Sequence, residues 1–189
     1  MNDTLQVCRT ALQDNQHPLH QAAWLLFAPK FKPSAADRLL ANQREAIIQF
    51  CLDILNTDEL YNEAALGSGN APINCVDLLV HWQVKEAVPR LVRILKEEDF
   101  EAIVHDHAIL ALQKMGPAIL DDILAVAETA DPAIYLEMGS ILSKIGRDDE
   151  QAFAWVRARF EEQVKEYDIR TWAELLLAVD VEHAITVLD

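Results

Sequence analysis

Residues 74–95, NCVDLLVHWQVKEAVPRLVRIL, decide the fold of this chain. The stretch holds two apolar patterns on either side of a turn at Gln83. Offsets of three and four residues place each apolar set on one face of a helix. The first set is Cys75, Leu78, Leu79 and Trp82, and the second is Ala87, Val88, Leu91, Ile94 and Leu95. The stretch therefore predicts a hairpin of two amphipathic helices.

The same pattern recurs in three later segments, 107–127, 137–160 and 171–189. Their turn residues are Gln83, Gly116, Gly146 and Asp180, at intervals of 33, 30 and 34 residues. A period of this length is typical of solenoid repeats. Gly116 and Gly146 stand where a helix C-terminus favours a left-handed residue, and Pro117 is placed to open the next helix. The sequence contains no β-branched alternation that would predict strands.

Residues 85–91, KEAVPRL, and 145–148, IGRD, resemble the HEAT family, especially the short repeats also found in phycobilisome-lyase-type proteins. The resemblance covers residues 70–189. It implies an all-α fold, a right-handed α-solenoid of about five HEAT-like helical hairpins. Residues 1–189 would then form a single domain. Residues 1–69 would be a degenerate N-terminal cap, and residues 70–189 four repeats, the last truncated.

The cap is less regular than the repeats. Residues 21–27, QAAWLLF, and 44–55, REAIIQFCLDIL, are predicted to be its two helices, joined by a long connection over 30–43. Residues 62–72, NEAALGSGNAP, combine Gly, Ser and Asn with a final Pro, which predicts a loop. The tryptophans Trp24, Trp82 and Trp172 occupy positions that we assign to packing.

Charge is distributed unevenly along the chain. Residues 1–56 carry five basic and five acidic side chains, so the whole formal charge of −15 belongs to the residues that follow. Such a negative field opposes binding to nucleic acid or to anionic lipid, because both rely on Lys and Arg contacts to phosphate. We expect no nucleic-acid partner and no membrane partner, and we expect a basic protein or peptide instead.

The cellular environment is predicted from the N-terminus and the cysteines. Residues 1–10, MNDTLQVCRT, lack the basic and apolar regions of a signal peptide, and no apolar run is long enough to span a bilayer. Cys8, Cys51 and Cys75 are widely spaced and form no C-x-x-C motif, so we expect packed, reduced thiols. These features predict a cytoplasmic protein.

No pattern of residues predicts catalysis or a cofactor. His105 and His107 flank Asp106, but residues two apart on a helix point away from each other, so these histidines cannot bind one metal ion together. Glu101 and His105 are four residues apart, and for them a surface pair is favoured over a metal site. His17 and His20 are expected to cap a helix or lie on the surface. Residues 148–150, Asp-Asp-Glu, are explained by a helix N-terminus. The motifs of phosphate loops, α/β-hydrolases and zinc proteases are absent from the sequence.

A candidate binding surface follows from the resemblance to HEAT repeats, whose second helices usually line the concave face. Its predicted lining is Arg90, Arg93, Asp121, Asp122, Trp155 and Arg159. Aromatic and Arg side chains are common anchors of protein interfaces. Burial in the core is the alternative for Trp155, since a Trp in an amphipathic helix is often packed inside.

These expectations favour a non-enzymatic module that binds a protein or peptide on its concave face. One alternative is a DNA-binding protein resembling the HEAT-like alkylpurine DNA glycosylases, which the negative charge opposes. Another is a bilin lyase or chaperone, which only the repeat subtype indicates. The short last helix also allows homo-oligomer formation through the C-terminal edge.

Overall fold

The computed structural model describes residues 3–97, 103–163 and 169–188. Within these ranges the chain forms helices and turns and no strand, which confirms the predicted all-α class. None of the described helices combines the length and apolar character that crossing a bilayer requires. Helices α1 to α12 span, in order, Asp3–Gln13, His20–Leu26, Pro33–Leu40, Arg44–Leu55, Asn70–His81, Val88–Glu97, Ile103–Met115, Leu120–Glu128, Tyr135–Ile145, Glu150–Gln163, Ile169–Val179 and Val181–Leu188.

The helices predicted for the four repeats correspond to α5/α6, α7/α8, α9/α10 and α11/α12. Their first helices touch in sequence, α5 against α7, α7 against α9 and α9 against α11. Each of the second helices α6, α8 and α10 also packs against the first helix that follows it. The apolar positions predicted for these helices supply most of the core between them. Those of α7 and α9 are all buried: Ala108, Ala111, Leu112, Met115, Met138, Ile141, Leu142 and Ile145.

The turns between the paired helices differ from one another. Gln83 and Gly116 adopt left-handed backbone conformations, with φ of 55° and 69°. Gly146 does not, because its φ is −103°, and Asp148 takes the left-handed conformation instead. The prediction for Gly146 was therefore wrong. Glycine is needed there for space, since a Cβ at this position would lie 2.5 Å from the Cβ of Ala152.

Polar caps and prolines mark several helix starts. The Oδ1 atom of Asp149 accepts hydrogen bonds from the backbone N–H groups of Gln151 and Ala152, at 3.0 and 2.9 Å, which satisfies the first turn of α10. This confirms that the acidic residues 148–150 lie at a helix N-terminus. Pro89 lies in the first turn of α6, where its missing N–H removes no helical bond.

The N-terminal segment contains more helix than predicted. The expected connection over 30–43 includes α3, which packs against α2 and α5. Asp37 of α3 accepts hydrogen bonds from His81 Nε2 at 2.8 Å and from Trp82 Nε1 at 2.7 Å, which holds α3 to the end of α5. Trp24 was assigned to packing, but 64% of it is exposed, so that assignment was wrong.

The three cysteines lie in the core, in α1, α4 and α5. Cys8, Cys51 and Cys75 are buried, free thiols, as the spacing predicted. Burial raises the pKa of the Cys8 thiol to about 12 and also raises that of Cys75. Both side chains therefore stay protonated near neutral pH and act as small apolar groups.

Candidate partner-binding surface

Helix α6 presents one face to the surface. Pro89, Arg93 and Glu97 are spaced by four residues, so they lie above one another on this face, and each is exposed. On each side of this face, α6 is flanked by open space. This face separates two shallow cavities.

The first cavity, of about 330 Å³, lies between α4 and α6. Its lining residues are Gln49, Leu52, Asn56, Glu86, Pro89, Arg90 and Arg93. The second, of about 430 Å³, lies on the side of α6 nearest Val126 of α8. It is lined by Pro89, Val92, Arg93, Lys96, Glu97 and Val126. Pro89 and Arg93 contribute to both cavities, so α6 forms a ridge between them.

Arg93 and Glu97 form the main ion pair of the ridge. The Nε atom of Arg93 lies 2.6 Å from Oε1 of Glu97, and the two residues are one helical turn apart. The hydrogen bond from Arg93 lowers the pKa of the Glu97 carboxyl, and the same bond raises the pKa of Arg93. Both side chains are about half exposed, so solvent weakens the pair and leaves it open to exchange with a ligand.

Arg90 does not belong to the exposed surface. Only 6% of this residue is accessible, although it was predicted to line the groove. Its Nε donates to the carbonyl oxygen of Leu55, and its terminal nitrogens lie 3.3 Å from the Tyr61 hydroxyl and 3.3 Å from Oε2 of Glu97. A buried guanidinium needs such partners. Arg90 therefore joins α6 to the end of α4.

Trp155 is also buried, which corrects its placement on an exposed groove. It is 8% accessible, and its Nε1 donates to the carbonyl oxygen of Ala127 at 3.1 Å. Tyr135 meets the indole edge to face at 5.8 Å, and Trp172 lies 6.2 Å away. The core alternative for Trp155 is therefore the one that the structure supports.

Arg159 covers this aromatic group. Its guanidinium carbon lies 4.5 Å from the ring centre of Tyr135 and 5.2 Å from that of Trp155, both within cation–π range. Its Nη1 lies 2.7 and 2.8 Å from the two carboxylate oxygens of Glu162. Only 17% of the Arg159 side chain is exposed. Arg159 thus offers little of its charge to a partner.

Asp121 and Asp122 remain exposed in the first turn of α8. Glu128 is exposed at the other end of this helix, and α8 contains no basic residue. Within the described part of the chain, these three carboxylates form no ion pair. Asp122, one turn before Val126, shares its face of α8 and therefore adds an unbalanced negative charge beside the cavity.

The predicted residues thus fall into separate groups. Arg90 and Arg93 meet at Glu97, whereas Trp155 and Arg159 stack on each other, and among the described residues no hydrogen bond or ion pair joins the two groups. The prediction missed Pro89, Lys96 and Glu97. These three residues lie three or four positions from Arg93, and that helical spacing would have predicted that they share its exposed face of α6.

Of the three histidines His17, His105 and His107, one is buried and two have polar partners. His105 is 4% accessible, so the predicted surface pair was wrong for this residue, and Glu101 lies outside the described residues. His107 Nδ1 lies 3.3 Å from Oδ1 of Asp77, and His17 Nδ1 accepts the backbone N–H of Leu19 at 3.1 Å in a local capping role. Among the residues described, no three His, Cys, Asp or Glu side chains converge as a metal site would require.

Comparison with models of protein families, with curated proteins and with solved structures gives no match to this chain.

Proposed function

We propose that this chain is a HEAT-like α-solenoid without catalytic activity, which binds a basic protein or peptide on the exposed face of its second helices. The order of contacts between first helices, from α5 through α7 and α9 to α11, supports the solenoid arrangement. The repeat register at Gln83, Gly116, Gly146 and Asp180 supports it from the sequence.

The observation that carries the binding proposal is the pair of cavities that share Pro89 and Arg93. The two cavities lie side by side on a surface formed by α4, α6 and α8, with the apolar side chain of Leu52 in one cavity and that of Val126 in the other. Side chains of a partner would fill the two cavities while its backbone crosses the ridge. Partners of solenoids are commonly held along such extended surfaces.

The charge of the neighbouring helix supports a basic partner. Asp121, Asp122 and Glu128 face solvent without a counter-charge among the described residues. A Lys or Arg of the partner would form charge-assisted hydrogen bonds with these carboxylates. Glu97 would exchange Arg93 for a partner cation, because solvent weakens this half-exposed pair.

Hydrogen–deuterium exchange with defined peptides tests this proposal. Lys/Arg-rich peptides should bind and protect α6 and α8, whereas peptides of the same length with Asp/Glu in place of Lys/Arg should not. Asp121→Asn/Asp122→Asn should weaken binding about tenfold. Asp106→Asn/Glu63→Gln removes the same charge from exposed positions elsewhere and should change binding far less. Equal weakening by both double variants, or protection confined to α5 and α7, contradicts the proposal.

A further inference from the structure

A third cavity, of about 300 Å³, lies on the other side of the repeats, between α5 and α7. Helix α5 lines it with Asp77, Val80 and His81, which are spaced by three and four residues and so share one face. Pro33, at the start of α3, closes one side. Helix α7 contributes His107, Leu110, Ala111 and Lys114.

The next pair of first helices, α7 and α9, carries a polar bridge at the equivalent place. Val80 and Gln113 stand at the same place in their repeats, three residues before Gln83 and Gly116. Between α7 and α9, the Nε2 of Gln113 reaches Ser140 Oγ at 3.1 Å and bridges the two helices. Between α5 and α7, the equivalent residues are Val80 and Leu110, which have no polar group to form such a bridge.

The charged groups around the cavity are not equally free. His107 pairs with Asp77 at 3.3 Å, and His81 pairs with Asp37 at 2.8 Å, so both carboxylates already accept a hydrogen bond from an imidazole. Lys114 is exposed and forms no ion pair within the described residues. The cavity therefore presents the unpaired Lys114 ammonium group beside apolar side chains, with the His107–Asp77 pair also in its lining.

We propose that this cavity binds a small organic acid, with its apolar body between Val80, Leu110 and Pro33 and its carboxylate on the ammonium group of Lys114. The volume is at the lower end of the range for small-molecule sites, which fits a single ring or a short alkyl chain. A charge-assisted hydrogen bond to Lys114 would select the acid over its neutral amide. This site is separate from the surface on α4, α6 and α8.

Titration of the isotope-labelled protein with benzoate and hexanoate, followed by NMR, tests the proposal. Amide signals of α5 and α7 should shift and saturate, and benzamide and hexanamide should bind about tenfold more weakly. Absence of saturable shifts on α5 and α7 with either acid overturns the proposal. Equal affinity for acids and amides overturns it as well, because Lys114 would then have no role.

Two variants and one control locate the site. Lys114→Gln should weaken benzoate binding about tenfold, whereas Lys144→Gln should leave it unchanged, because Lys144 is the exposed residue at the same repeat position on α9. Val80→Ile/Leu110→Trp adds side-chain volume at two lining positions and should fill the cavity. Circular dichroism should show that this double variant keeps its helices. Binding that survives in the double variant, or that falls equally with both Lys variants, overturns the proposal.

Discussion

The indole Nε1 of Trp155 donates a hydrogen bond to the carbonyl oxygen of Ala127 at 3.1 Å, and this bond joins α10 to the end of α8. The carbonyl is one of the last of α8, and besides the indole it accepts a long bond of 3.4 Å from the backbone N–H of Ala130 at this helix end. The stack of Tyr135, Trp155 and Trp172 brings α9, α10 and α11 to the same point. Trp155 therefore contributes to the packing of four helices.

Replacing Trp155 with Phe should destabilise the protein by about 1–3 kcal/mol, because the hydrogen bond is lost and a small cavity remains. Urea unfolding followed by circular dichroism measures this change. Trp24→Phe is the matched control, since the Trp24 ring is mostly exposed, and it should change the free energy of unfolding by less than about 0.5 kcal/mol. Equal losses in the two variants would contradict the structural role of Trp155.

Arg90 and Arg93 lie on the same helix but should respond differently to substitution. Arg90→Met removes one of two hydrogen bonds to the Leu55 carbonyl, which keeps that of the Tyr61 hydroxyl, and it removes the ion pairs to Asp58 and Glu97. We expect a loss of about 2 kcal/mol in the free energy of unfolding. Arg93→Met removes one half-exposed ion pair and should cost less than about 1 kcal/mol.

The two Arg variants should also differ in binding. Arg93 lines both cavities beside α6, so Arg93→Met should change affinity for Lys/Arg-rich peptides without changing the urea midpoint much. Chemical denaturation and peptide titration of the same samples separate the two effects. A large stability loss in Arg93→Met with none in Arg90→Met would contradict the assigned burial.

Helices α5 to α12 were predictable because their apolar pattern is local in the sequence. Stripes such as Met138, Ile141, Leu142 and Ile145 repeat with the period of a helix and are all buried. Helix α3 was missed because Lys30, Lys32 and Pro33 indicate a connection. Its burial depends on Ala36 and Leu40, which pack in the contact that α3 makes with α2 and α5.

The candidate surface was less predictable because burial of its residues depends on distant partners. Arg90 bonds to Leu55, 35 residues earlier, and Trp155 bonds to Ala127, 28 residues earlier. A periodic pattern identifies the face of a helix but not which carbonyl will meet that face. For Arg93, Asp121 and Asp122, which need no such partner, the predicted exposure agrees with the structure.

Alanine should be unfavourable at Gly116 and at Gly146 for different reasons. At Gly116 a Cβ would meet nothing within 4 Å, so only the left-handed backbone opposes it, at a cost of about 1 kcal/mol. At Gly146 a Cβ would lie 2.5 Å from Ala152 Cβ and 3.0 Å from the carbonyl oxygen of Leu142. Crowding of this kind costs about 1–3 kcal/mol.

A second substitution distinguishes the two glycines. Ala152→Gly removes the atom nearest to the new methyl group and should recover part of the stability of Gly146→Ala, while Gly116→Ala should gain nothing from it. A double-mutant cycle measured by urea unfolding gives the coupling energy. Zero coupling between positions 146 and 152 would contradict the close approach.

Stability near the last hairpin should depend on pH through Asp180 and His183. The Nδ1 of His183 lies 2.7 Å from Oδ2 of Asp180, and this hydrogen bond raises the pKa of His183 above 6.5 and lowers that of Asp180 below 3.8. The contribution of His183 to the free energy of unfolding is fully present below pH 6.5 and is lost as pH rises through the raised pKa. The Asp180 contribution is present above pH 3.8 and is lost as pH falls through the lowered pKa.

The pair should therefore stabilise the C-terminal helix most between these two limits. An NMR titration of the His183 ring should give a midpoint above 6.5, and Asp180→Asn should return it toward that value. The Asn side chain keeps an acceptor for the backbone N–H of His183, which Asp180 Oδ1 binds at 3.1 Å, so α12 should remain capped. An unchanged His183 midpoint in Asp180→Asn would show that the carboxylate does not hold the imidazolium.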